Sequence, residues 1–271
     1  MSYFNIVAET SENTVVTEYE PVKRRSDSYQ SESELEQEFI RMLCEQGYEY
    51  LPLHTERDMI SNLRERLQEL NNYEFTDKEW TYFFNNDIAN SNFSLQDKTR
   101  NIQEDYRKVL KRDDGSTKNI SLIDKTNIHN NRLQVINQYV MGLQDGAKHD
   151  NRYDVTVLVN GLPLVHVELK RRGVQIREAF NQINRYKRDS FWAGSGLFEY
   201  VQIFVISNGT NTKYYSNSTR DNAIRDAKVG NTKRGKTSNS FEFTCFWADA
   251  NNFAIDSPNP VDVLLLATSA L

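Results

Sequence analysis

Tyr153-Asp-Val-Thr-Val-Leu-Val-Asn-Gly-Leu-Pro-Leu-Val-His-Val-Glu-Leu-Lys170 reads as two extended segments joined at Asn160-Gly161. Odd positions Val155, Val157, Val159, Val165, Val167 and Leu169 are aliphatic, whereas even positions include Asp154, Thr156, His166, Glu168 and Lys170. Side chains alternate across a strand, so the odd set forms one buried face. For both strands to bury that face together, the numbers of paired residues must sum to an even value. A plain two-residue turn at Asn160-Gly161 pairs 159 with 162, an odd sum. The pattern therefore predicts either an odd-length loop, such as a three-residue turn with left-handed Gly161, or a one-residue bulge. The same register gathers Asp154, Glu168 and Lys170 on the opposite face.

Outward from this hairpin the period changes. Residues 1–29 read as a polar lead-in with a short strand at Thr14–Tyr19. A helix is expected to start at Ser31 or Ser33, with an apolar stripe Leu35–Phe39–Leu43 and a stop at Gly47. A charged helical region runs from Thr55 to Lys111, with stripes Met59–Leu63–Leu67–Leu70 and Ile102–Tyr106–Leu110. After the Asp113-Asp114-Gly115-Ser116 turn signal, strands are expected at Ile120–Asp124, Leu133–Val140, Val201–Ser207, Lys213–Ser216 and Phe241–Trp247, with a helix over Arg177–Asp189. This order predicts a mixed α/β fold around one central sheet.

Composition narrows the function classes. The chain has 271 residues, 11% aromatic, with a net charge of −5, so it can build a core and must confine any polyanion site to a local basic patch. Two cysteines, Cys44 and Cys245, make neither a disulfide framework nor a zinc knuckle, which suits a reducing cytoplasm. No signal-peptide pattern opens the chain, and the apolar run Val261–Leu271 is too short to span a bilayer.

Two carboxylates and a lysine converging on a sheet face are costly as structure alone, because the acids repel and the lysine loses hydration. A divalent cation resolves the conflict. Mg²⁺ prefers oxygen and takes one or two carboxylates plus substrate phosphate. Asp154 and Glu168 would be its ligands, with the Leu169 carbonyl a third and Lys170 orienting the attacking water. The stretch that follows is basic: Lys170, Arg171, Arg172, Arg177, Arg185, Lys187 and Arg188 against the single acid Glu178. Such a local reversal of charge suits a phosphate backbone.

Asp154…Glu168-Leu-Lys170 followed by Gln182-Ile-Asn-Arg-Tyr186 resembles the PD-(D/E)xK nuclease core with its Q-x-x-x-Y motif. Asn151–Val165, Arg177–Ile183, Phe204–Thr210 and Ser28–Glu36 resemble the motor/restriction (R) subunit of type I restriction–modification enzymes, of the IC subclass. The resemblance implies a restriction-endonuclease-like core over residues 30–250 with a helical insertion at 55–111. It further implies Mg²⁺-dependent cleavage of double-stranded DNA by Asp154, Glu168 and Lys170, beside methylation and specificity subunits. Gln182 and Tyr186, with Arg172 and Arg185, would support DNA contact or positioning. The first helix would lend an acid, either Glu36 or Glu32. ATP is implied for the translocase of the full-length subunit alone. Tyr153 stands where the motif has proline, and the tail from Asp256 to Leu271 departs from the family's continuation. The tail, within an atypical segment 251–271, is expected to be a truncation, a frame-shifted end or a foreign one.

Gly230-Asn-Thr-Lys-Arg-Gly-Lys-Thr237 formally matches a phosphate-binding loop, but lacks the apolar strand before it and the helix after it. No nucleotide site is expected there. His54, His129, His149 and His166 lack zinc spacing, and His166, on the acidic face, is read as a bystander, with contact to DNA or a water as the alternative. The competing class is a non-catalytic docking module that keeps a nuclease scaffold, with 55–111 and Asn217–Asn239 as partner surfaces.

Overall fold

The computed structural model describes residues 4–9, 15–19, 31–217 and 240–246. In chain order the elements are β1 (Phe4–Glu9), β2 (Val15–Tyr19), α1 (Glu32–Glu45), β3 (Glu49–Tyr50), α2 (Glu56–Asn71), α3 (Asp77–Phe83) and α4 (Leu95–Gln103). There follow β4 (Arg107–Lys111), β5 (Thr117–Ser121), β6 (Leu133–Met141), β7 (Asn151–Val159), β8 (Leu162–Leu169), α5 (Ile176–Asp189), β9 (Ile203–Ser207), β10 (Thr212–Ser216) and β11 (Cys245–Phe246). Ser31, Thr55, Thr76 and Ser94 each cap a helix, reciprocated by an acid three residues on. Two orphan amides are thereby satisfied at each start.

Seven strands form one mixed sheet in the order β11-β10-β9-β8-β7-β6-β3. β8 runs parallel to β9 across the α5 connection, β3 runs parallel to β6, and the remaining neighbours are antiparallel. One face packs against α1 through Leu35, Phe39, Leu43, Val155, Val157, Val165, Val167 and Leu169. The other face is covered by α5 and the helical layer, where Leu63, Phe83, Phe180, Ile183, Phe191 and Phe204 share a second core. The hairpin is thus buried on both sides. Val159, counted with the odd set in the sequence, falls in this second core.

The register follows the bulge alternative. Near the turn Val159 pairs with Leu162 and Leu158 with Pro163; beyond an irregularity, Val157 pairs with Val165 and Val155 with Val167. The extra residue changes the paired sum from odd to even and brings the two Val faces together. A two-residue turn therefore survives, with Asn160 at φ +50° and Gly161 at φ +84°, the left-handed pair that suits a tight hairpin. The three-residue turn does not form, because the bulge corrects the parity inside β8 instead.

Gly161 also meets a neighbour. A Cβ there would lie 2.6 Å from the Leu63 Cα of α2, whereas one at Gly115 (φ +85°) would meet nothing within 4 Å. Gly161→Ala is expected to lower the free energy of unfolding by about 2–4 kcal/mol, combining left-handed strain with overpacking. Gly115→Ala should cost only about 1 kcal/mol, from the backbone alone. Urea denaturation of both separates the two contributions; equal losses would mean that helix α2 does not press on the turn.

Three sequence expectations need correction, the first being the strand at Ile120–Asp124, which lies instead at Thr117–Ser121. The helical reading of 55–111 ends at Gln103, and Leu110 belongs to strand β4, which pairs with β5 around the Asp113–Ser116 turn. Leu110 of β4 and Ile120 of β5 are the buried residues of this pair, each alternating with more exposed neighbours, a period of two that overrides the helical spacing back to Ile102. Phe241–Trp247 gives a short helical turn at Ser240–Phe243 before β11. The lead-in carries an additional strand, β1, paired with β2. The loop Gly230–Thr237 and the tail 251–271 lie outside the described residues, as does nearly all of Asn217–Asn239.

Candidate active site

The β7–β8 register carries Asp154 opposite Glu168, and Lys170 follows where β8 ends. The Leu169 amide donates to Asp154 Oδ2 at 2.9 Å, tying the two strand ends together. Lys170 Nζ donates to Glu168 Oε1 at 3.2 Å and to the Leu169 carbonyl at 3.0 Å. The Lys170 amide donates to the Ser207 carbonyl, which prolongs the parallel pairing with β9. Glu168 is fully buried and Lys170 nearly so, while Asp154 is half-buried.

The charges strain against that burial. Loss of hydration pushes Asp154 up to about 7, and the charge of Glu168 adds to the rise. Burial likewise pushes Glu168 up to about 7, opposed by the charge and hydrogen bond of Lys170. Glu168 Oε2 has no hydrogen-bond partner. Two acids held above their ordinary range, one with an unanswered buried oxygen, form a site short of positive charge.

Helix α1 and strand β6 close one side. Glu36, buried, accepts from Asn137 Nδ2 at 2.6 Å and from Gln138 Nε2. Its own carboxyl is raised first by burial, and the charge of Asp154 adds to the rise. Glu32 Oε2 lies 3.9 Å from Lys170 Nζ, and Glu32 Oε1 accepts from the Arg171 amide. Both acids offered by the first helix therefore border the site, Glu32 against the lysine and Glu36 towards Asp154. Gln138, absent from the sequence reading, sits opposite Asp154 between the pairs Asn137↔Val155 and Tyr139↔Tyr153, at φ +52°. A non-glycine residue in that conformation inside a strand stores about 1–3 kcal/mol of strain, a feature of functional sites. The only sequence signal was a polar Asn-Gln pair interrupting an apolar strand.

Helix α5 closes the other side. Gln182 Nε2 donates to Tyr186 Oη, which in turn donates to the Arg152 carbonyl at 2.7 Å. Tyr186 is 1% exposed, so this pair braces the β7 backbone two residues before Asp154, and the buried ring presents no surface to DNA. Tyr186→Phe should lower stability by about 1–2 kcal/mol by orphaning the Arg152 carbonyl, with Gln182→Ala costing less; thermal unfolding of the two variants checks the order. Arg185 is exposed, with its guanidinium 5.8 Å from the Tyr186 ring centroid. Arg172 is half-buried beside Gly209.

His54, His129 and His149 are exposed. His166 is fully buried, 3.5 Å from Glu168 Oε2 through Nε2 and 3.2 Å from Thr156 Oγ1 through Nδ1. It therefore cannot touch DNA, the alternative its place on the acidic face left open, because that face is covered by α5 and its aromatic neighbours.

The donor set suits a hard cation. Asp154, Glu168 and the Leu169 carbonyl offer only oxygen, and the unpartnered Glu168 Oε2 is an unused acceptor. Among the described residues no group of three or more His, Cys, Asp or Glu side chains is placed to hold a metal. Asp154 and Glu168 make two carboxylates, the number that Mg²⁺ takes when water and phosphate supply the remaining oxygens. Among the same residues, no helix is long and apolar enough to cross a membrane.

A central mixed sheet flanked by helices, with Asp154, Glu168 and Lys170 at the end of its hairpin, is the architecture of the restriction-endonuclease-like class. Residues 29–223 match the family described as the type I restriction enzyme R protein N terminus, and the chain belongs to that family. It is 46% identical over 250 residues to the type I restriction enzyme EcoprrI endonuclease subunit of Escherichia coli, covering 92% of this chain and 74% of that protein. It is 41% identical over 199 residues to the SsaAORF53P endonuclease subunit of Staphylococcus saprophyticus, and 40% over 200 residues to the SauMSSORF170P endonuclease subunit of Staphylococcus aureus. Each of these two matches covers 70% of this chain and 20% of the relative, so the chain spans only a fifth of those proteins.

Proposed function

We propose that residues 30–250 are an Mg²⁺-dependent endonuclease domain that cuts double-stranded DNA within a type I restriction complex. One observation carries this reading: Asp154, Glu168 and Lys170 meet at the hairpin end, with the Glu168 carboxylate buried and one of its oxygens unanswered. When bound, Mg²⁺ would polarise a phosphoryl oxygen and acidify a water. Asp154, Glu168 and the Leu169 carbonyl would hold it. Lys170, steadied by Glu168 and the Leu169 carbonyl, orients the attacking water and answers the charge that develops on the phosphate. Gln182 and Tyr186 fix the backbone beside Asp154. Exposed Arg185 on α5 and Arg152 on β7 attract the phosphate backbone.

The relatives' names as endonuclease subunits support this reading. The methylation and specificity subunits would supply recognition, and ATP would serve translocation by the full-length subunit, all in the cytoplasm. The test is DNA cleavage by a reconstituted complex carrying Glu168→Ala or Lys170→Ala. Lost cleavage with retained ATP hydrolysis supports the nuclease; retained cleavage supports a docking role.

A further inference from the structure

We propose that His166 is a positioning residue that holds Glu168 for the cation, in a tautomer fixed by Thr156; the inference rests on the metal-site reading above. Thr156 and His166 are cross-strand partners, and Glu168 lies two residues further along the same face. The Thr156 hydroxyl lies 3.2 Å from His166 Nδ1. When that hydroxyl donates, the ring proton stands on Nε2, aimed at Glu168 Oε2 3.5 Å away. Both atoms lack any other partner, and both side chains are wholly buried.

Aromatic rings hold the imidazole in place on its remaining sides. Tyr153, Tyr186, Phe191 and Phe204 all approach it edge to face, at centroid distances of 5.7–6.3 Å. The four rings ask for no nitrogen, and the Thr156 hydroxyl engages Nδ1 alone, which leaves the buried Nε2 without a structural use. The use for the nitrogen is at Glu168. A carboxylate ionised by a bound cation would face a bare lone pair if Nε2 were unprotonated, and a donor if it carried the proton. At 3.5 Å the contact is longer than a formed hydrogen bond, and loading of the carboxylate is the event that closes it. Orienting partners of this kind typically change metal affinity by 10–100-fold.

Isothermal titration of the full chain with Mn²⁺ alone, at one fixed pH, tests the assignment on wild type, Glu168→Gln, His166→Leu, His166→Gln and Thr156→Val. Wild type should bind in a Glu168-dependent way. His166→Leu should weaken binding about 10–100-fold with its thermal unfolding transition intact, and His166→Gln, which restores an amide donor, should recover part of the loss. Thr156→Val should weaken binding in the same direction by a smaller factor, since the ring loses its tautomer lock. Wild-type affinity in both His166→Leu and Thr156→Val would overturn the positioning role and leave the metal site standing. No Glu168-dependent binding by wild type would remove the metal site and this inference together. Should His166→Leu fail to fold, Thr156→Val decides alone: unchanged affinity there overturns the proposal.

Discussion

Lys170→Ala is expected to reduce DNA cleavage by the assembled complex about 10²–10³-fold, with ATP hydrolysis unchanged. The lysine is the only cation within 4 Å of Glu168 among the described residues, and its stem is buried, so its charge acts in a medium that screens little. Removing it has two consequences. The developing charge on the phosphate loses its nearest cationic partner, and Asp154 and Glu168 face each other with less to offset their repulsion. Glu168→Ala should be at least as severe, since it deletes the buried carboxylate on which the whole arrangement converges. Lys170→Arg is not a rescue, because a planar guanidinium cannot occupy the space of a compact ammonium between Glu168 and the Leu169 carbonyl. Arg185→Ala provides the contrast: an exposed arginine should change the salt dependence of DNA binding far more than the cleavage step. Supercoiled plasmid cleavage, followed alongside ATP turnover, reads all four. If Lys170→Ala cuts at the wild-type rate, Lys170 is a structural ion-pair partner and the site loses its chemistry.

The hairpin was legible because two constraints agreed. Alternation fixed which faces meet, and parity then demanded a bulge or an odd loop. What the parity could not choose was the place where the extra residue goes. That choice was made by Asn160 and Gly161, whose left-handed conformations keep the tight turn under helix α2 and leave β8 to absorb the irregularity. The carboxylate pair and Lys170 were legible for the same reason, since one register carries all three. Residues brought in from distant elements were less so. Gln138 lies on a strand whose apolar pattern gave no hint of a left-handed residue facing Asp154, and Glu36 reaches it only through the packing of α1. The depth of His166 is not legible, because alternation separates two faces without saying that both are covered, as they are in this hairpin. Leu110 shows the converse failure: its helical spacing from Ile102 was coincidental, and cross-strand pairing with β5 decided its structure.

Without a divalent cation the protein should lose stability as pH rises towards 8, and Mg²⁺ or Mn²⁺ should restore it there and not at pH 5. The sign follows from Asp154 and Glu168. Both carboxyls are raised on folding, to about 7, so the folded state binds protons more tightly than the unfolded chain. Their contribution is fully present below the ordinary carboxylate range and is lost progressively as pH climbs through 7. For the pair the loss is on the order of a few kcal/mol. The groups around them do not cancel it: Lys170 lowers both carboxyls, whereas Glu32 opposes that effect at Glu168. Glu36 is itself raised and follows the same sign, and Arg152 acts on Glu36 from an exposed position; His166, pushed down to about 4, has the opposite sign below its ordinary value, because the unfolded imidazole takes a proton there, and offsets one of the two carboxyls in part. A divalent cation binds the ionised pair, so above pH 7 it replaces the missing protons, and at pH 5 it must compete with them. At a hundredfold excess over its dissociation constant the cation contributes about 2.7 kcal/mol, which for a chain of this size is a rise in Tm of about 5–10 °C. The double substitution Asp154→Asn with Glu168→Gln makes the argument sharp. It should raise the metal-free Tm at pH 8, because two mutually repelling charges, one of them fully buried, are gone, and abolish the response to Mn²⁺. Scanning calorimetry at pH 5 and pH 8, with and without the cation, measures each quantity. A Mn²⁺ response of equal size at both pH values, or one that survives the double substitution, would mean the cation binds somewhere other than between these two carboxylates.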